Sequence, residues 1–142
     1  MAQAPPQALS TFRAARALLD AYAGRVRLCD GGETVLPGVV AEAMPGHTPG
    51  HTGYHVGGVE GAVLILADVV HVASVQGPRP EAALAFDSDQ DRAEATRRRV
   101  LATAADGRVC VAGIHLAFPP FAHVARAGDG FAVVQEAWRD EV

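Results

Sequence analysis

The apolar positions of this chain change period several times, and the changes mark its elements. After Ser10 or Thr11, either of which can cap a helix, "FRAARALLDAY" sets Phe12, Ala15, Leu18, Leu19 and Tyr22 at helical spacing and stops at Gly24. That spacing predicts one amphipathic helix. Short β-like pieces follow: "RVRLC", the turn "DGG", then "GVVAEAM". "TGYHV" reads as a further strand, joined through "GGVEG" to "AVLILA", whose unbroken apolar run suits a strand covered on both faces. "VVHVASVQGPRPEAALAF" is loop-like, and "DSDQDRAEATRRRVLATAADG" is a second helix, capped by Ser88 or a neighbouring aspartate and ended by Gly107. A third apolar strand, "RVCVAG", and a hairpin turning at Gly128-Asp129-Gly130 complete the chain. Residues 1–9 read as a frayed end. The order helix, strands, helix, strands predicts an α+β fold, a sheet covered by helices, in a single domain over residues 1–142.

Composition narrows the classes. Apolar residues make up 49% of the 142 and charged ones 20%, an ordinary balance for one globular domain. With 12 Lys+Arg against 16 Asp+Glu, the net charge of -4 gives no general field for phosphate backbones or anionic lipid, so no nucleic-acid partner is expected. The basic run Arg97-Arg98-Arg99 reads as a solvated helix face with local ion pairs. Cys29 and Cys110 match neither a redox nor a zinc-knuckle spacing, and Cys110 reads as a buried structural thiol. "GAVLILADVV" is far shorter than the roughly 20 apolar residues of a membrane span, so no membrane partner is expected. No signal peptide is visible, which makes the cytoplasm the default location.

Candidate chemistry begins at "PGHTPGH", residues 45–51. Pro49 and Gly50 between His47 and His51 argue against a helical pair and for a glycine-rich loop, where an imidazole can meet a metal ion. Asp68 stands just past "AVLILA" and His115 just past "RVCVAG", the strand ends where such sheets place functional groups. A carboxylate after six apolar residues is costly to bury unless it is paired or bound to a cation. Each also has a plain reading: a cap or an arginine salt bridge for Asp68, and a core histidine bonded to a backbone carbonyl for His115.

"PGHTPGH", "LILADVVHVASVQ", "FDSDQDRAEATRRR" and "VAGIHLAFPPFAHV" together resemble, in order and spacing, the C-terminal half of metallo-β-lactamase-fold hydrolases. The likeness is to the methyl parathion hydrolase and quorum-quenching lactonase branch, and it runs from Phe12 to Val134. It implies an αββα sandwich, largely its C-terminal half, with His47, Asp68 and His115 as metal ligands and Asp68 bridging two ions. It further implies His51 as a residue orienting the loop or Asp68, and His71 as a wall of a substrate pocket, with an exposed loop histidine as the plain alternative; Phe118 of "AFPPF" reads as an apolar wall of that pocket or as core packing. His55 and His123 receive no chemical role.

The family's other ligands lie in a His-x-His-x-Asp-His run, and none is present: no two of the six histidines are separated by a single residue. The resemblance therefore implies a truncated form of a metal-dependent hydrolase. In intact relatives, a water activated by two zinc-like ions and held by Asp68 attacks a small ester, lactone or phosphotriester; this chain alone would bind one divalent ion or none. Its partner would be a second copy or a complementing N-terminal half. The alternative is a non-catalytic domain that keeps the sheet for structure or association.

Overall fold

A computed structural model describes residues 9–57 and 63–138. The elements are α1 (Leu9–Ala21), β1 (Thr34–Leu36), β2 (Val39–Ala43), β3 (Thr52–Val56), β4 (Val63–Ile65), α2 (Ala73–Gln76), α3 (Gln90–Gly107), β5 (Cys110–Ala112), β6 (Phe121–Ala127) and β7 (Gly130–Gln135). A turn of 3-10 helix, Ala67–Val69, follows β4. Of the segment expected to fray, residues 1–8 lie outside the described residues, as does most of the "GGVEG" connection.

Among the described residues, seven strands form one sheet in chain order, β1 to β7. Every neighbouring pair is antiparallel except β4 and β5, which run parallel. Parallel neighbours need a crossover, and α2 and α3 lie within it. Asp89 caps α3 by accepting the Arg92 N–H, and Arg108 ends it at φ 51° with its N–H on the Ala104 and Ala105 carbonyls.

Register decides which side chains share a face. Val40, His55, Leu64, Val111 and Ala122 lie side by side across five strands. The core forms on this face, where Leu64, Val111 and Ala122 gather with Val100, Leu101 and Ala104 of α3, all fully buried. Truncating Leu101 to alanine there would cost about 2–5 kcal/mol. The opposite face carries Ala41, Tyr54, Ile65, Ala112 and Phe121. Apart from Ala41, these residues are half-buried or exposed.

The differences from expectation have physical reasons. The run through β4 is apolar enough for burial on both faces, yet Leu64 and Leu66 are buried while Val63 and Ile65 stay half-open on the uncovered side. Helix α1 forms where its periodicity places it but buries none of its residues. "RVRLC" is not a strand; Leu28 is 88% exposed there, and Thr34–Leu36 pairs with β2 instead. Within the arginine run, Arg98 pairs with Glu94 and Glu81 and Arg99 with Glu42, but Arg97 is 1% exposed and points into the core.

Candidate metal centre

The His loop is pinned between β2 and the start of α3. Thr96 Oγ1 donates to the Pro45 carbonyl at 2.6 Å, the Ser88 N–H to His47 O at 3.1 Å and the Asp89 N–H to Gly46 O at 3.1 Å. Gly46 sits at φ 139°, and a Cβ there would fall 2.3 Å from the backbone nitrogen of Ala93. Only glycine lets the loop lie this close to the helix.

Asp68 reaches the same spot from β4. Leu66 N–H bonds the Ala112 carbonyl of the β5 segment at 2.7 Å, and the chain then turns through Ala67 at φ 47° and Asp68 at φ -95°, ψ 18°. The left-handed conformation of Ala67 costs free energy for an L-residue and persists where surrounding contacts hold it. One such contact is His51: its Nδ1 bonds the Met44 carbonyl at 2.9 Å and its Nε2 accepts the Asp68 N–H at 3.0 Å. Both ring nitrogens are thus occupied by the backbone.

Three other imidazoles surround the Asp68 carboxylate. His115 Nε2 lies 3.0 Å and His71 Nε2 3.5 Å from Oδ1, and His47 Nε2 is 4.0 Å from Oδ2. The His71 and His115 rings stack with centroids 4.3 Å apart. Donor atoms of His47, Asp68 and His71 all lie within 4.8 Å of one another. The compact trio therefore contains His71, expected only in the pocket wall, while His115 approaches through Asp68. Burial lowers the pKa of His71 below the ordinary 6.5, His115 and His47 adding to the effect against the pull of Asp68. Its Nδ1 is buried without a hydrogen-bond partner among the described residues. Gln76, itself buried, takes the His71 and Val72 N–H groups on Oε1 at 2.7 and 3.1 Å.

An imidazole and carboxylate donor set of this size suits zinc, manganese, iron or cobalt, and three protein donors leave a position open. Beside it, a cavity of about 370 Å³ is lined by His71, Val72, Ser74, His115, Leu116 and Val133 among others. Phe118, expected in the pocket wall, is 75% exposed and packs on Trp138, and it is absent from this lining. Phe86, which sequence reasoning passed over, sets its ring 5.8 Å from that of His47 and 5.3 Å from that of His71. Asp87 and Arg97 were missed as well. Asp87 stands among the acids before α3 and Arg97 within a basic run, and neither setting signals burial. His55 and His123 lie away from the cluster, bonded to Glu42 and Glu136.

The sequence profile of the metallo-beta-lactamase superfamily matches residues 3–113. The chain belongs to that superfamily. Among solved structures it is similar to AidC, a dizinc quorum-quenching lactonase captured with its product, at TM-score 0.88 and 24% identity over 96% of this chain and 46% of that one. It is also similar to AbOPH, a hydrolase in the beta lactamase superfamily, at TM-score 0.79 and 25% identity over 96% and 49%. An N-acyl homoserine lactone hydrolase matches at TM-score 0.51 and 22% identity over 67% and 40%. The superfamily chain thus spans about half the length of the structures it resembles. No curated protein matches it. No described helix is long and apolar enough to cross a membrane.

Proposed function

We propose that this metallo-beta-lactamase chain carries one side of the metal centre of a divalent-metal-dependent hydrolase acting on a small ester, lactone or phosphotriester. The observation that carries the reading is the convergence of His47, Asp68 and His71 within 4.8 Å, with His115 on the same carboxylate. The dizinc lactonase it resembles supports a zinc-like ion. A divalent ion bound here would polarise the scissile carbonyl or phosphoryl group and make a water nucleophilic near neutral pH.

The residues of the chain do the holding. His47 and His71 offer imidazole nitrogens, Asp68 offers both carboxylate oxygens, and His115 lies beside Oδ1 to complete or adjust the set. His51 fixes the backbone of Asp68, so the carboxylate cannot drift from the loop that carries His47. Phe86 keeps one side of the cluster apolar, and the neighbouring cavity would receive the substrate.

The test is metal content per chain after dialysis, for the unmodified protein beside Asp68→Ala. Metal retained by the first and lost by the second is expected. Equal metal in both, or none in either, would overturn the reading for this chain.

A second reading rests on a different observation. The sheet face bearing Tyr54, Ile65 and Phe121 is left open by the described residues, which fits a chain that functions by association with another copy.

A further inference from the structure

Asp87 has no explanation in capping. The cap of α3 is Asp89, two residues on, whereas the Asp87 side chain is only 1% exposed and turns away from the helix toward the His loop. A buried carboxylate without partners would be strongly unfavourable. This one has three. His47 Nδ1 lies 2.9 Å from Oδ1, the Leu84 N–H donates to Oδ2 at 3.1 Å, and the Arg97 guanidinium stands 3.8 Å from Oδ2.

Arg97 is equally buried, and Val69, Pro80 and Ala82 give it three carbonyl acceptors, at 2.8, 2.6 and 3.3 Å. The pair therefore ties together both segments that bring ligands. Arg97 bonds the carbonyl of the residue after Asp68, and Asp87 bonds the ring of His47. The two residues after Asp87 clamp the backbone of the same loop, Ser88 on His47 O and Asp89 on Gly46 O.

We propose that Asp87 is a positioning residue of the metal centre, selecting the His47 tautomer that keeps Nε2 free to bind a metal ion. A carboxylate only accepts hydrogen bonds, so Nδ1 of His47 carries the hydrogen and Nε2 keeps its lone pair. That Nε2 is the atom facing Asp68. A carboxylate behind a ligand histidine also raises the basicity of the ring and fixes its orientation, and losing such a partner commonly weakens metal affinity by about 10–100-fold. The buried Arg97 guanidinium stands 3.8 Å from Oδ2 and leaves Oδ1 to face His47. This inference rests on the metal-centre reading above, but the tautomer can be read without any metal.

The experiment is a long-range proton–nitrogen correlation spectrum of the imidazoles in the metal-free, nitrogen-15-labelled protein at about pH 8, where imidazoles are uncharged. His47 is identified by its absence in His47→Ala. Expected is hydrogen on Nδ1 and a bare Nε2. In Asp87→Ala the signal should shift toward the other tautomer, and cobalt(II) affinity should fall by about 10–100-fold. Asp87→Asn, which keeps an acceptor oxygen, should lose less. Hydrogen on Nε2 in the unmodified protein would overturn the proposal, as would a folded Asp87→Ala with unchanged tautomer and cobalt affinity. If Asp87→Ala unfolds, the unmodified protein and Asp87→Asn decide. If the unmodified protein binds no cobalt, the metal-centre reading falls, and the tautomer still decides the role of Asp87.

Discussion

His51 Nε2 accepts the backbone N–H of Asp68 at 3.0 Å, joining a loop residue to a strand end seventeen positions away. The other ring nitrogen is held by the Met44 carbonyl. The ring is buried, at 9% exposure, so both backbone groups lose a partner that water would not readily replace if it were removed. His51→Ala is expected to destabilise the chain by about 1–3 kcal/mol in urea melts, and to weaken metal retention even though His51 offers no free nitrogen. A variant with normal metal content would show that the Asp68 turn holds its shape unaided.

His71 gives a pH dependence of definite sign. Its folded pKa lies below the unfolded value of 6.5, so between the two the unfolded chain binds more protons than the folded one. The His71 contribution is therefore intact above 6.5 and is lost as the pH falls toward the folded value. Melting of the metal-free protein should drop more steeply across that window than melting of His71→Gln. Identical pH profiles would refute the assignment.

Arg97 and Arg98 are adjacent and should behave oppositely. Removing the buried Arg97 guanidinium strands Asp87 and three carbonyl groups, and Arg97→Met should cost about 3–5 kcal/mol. Arg98 is 42% exposed on its side chain, so its pairs with Glu81 and Glu94 are screened by water, and Arg98→Ala should cost under about 1 kcal/mol. Denaturant melts of the two variants side by side check the contrast.

The open face predicts self-association. Sedimentation of the chain at micromolar concentration should give a mass above 14.7 kDa, and Ile65→Lys, which places a charge on that face without touching the core on the other, should lower it. A monodisperse monomer before substitution would remove the association reading.

Most of the strands and the long helix could be read from the sequence because their signals are local, whereas "RVRLC" stayed irregular and β1 formed at Thr34–Leu36. "TGYHV" became β3 without adjustment, the aspartates before "RAEATRRR" supplied the cap of α3, and the glycines flanking Asp129 set the final hairpin. The motifs around His47, Asp68 and His115 could be read as well, since a family likeness resides in residue types at fixed spacing. Hydrophobic periodicity also placed α1, but it could not tell what would cover its apolar side.

Tertiary structure alone decided the remainder. Which of three consecutive arginines turns inward depends on the carbonyls of Val69, Pro80 and Ala82, brought beneath α3 by segments far along the chain. The entry of His71 into the donor cluster depends on the turn through Ala67, whose left-handed backbone propensity does not forecast because L-residues seldom adopt it. Asp87 looked like one more acid at a helix start. Its burial against His47 arises because the sheet order carries the loop after β2 to the N-terminus of α3, forty residues later, and sequence patterns report only on neighbours.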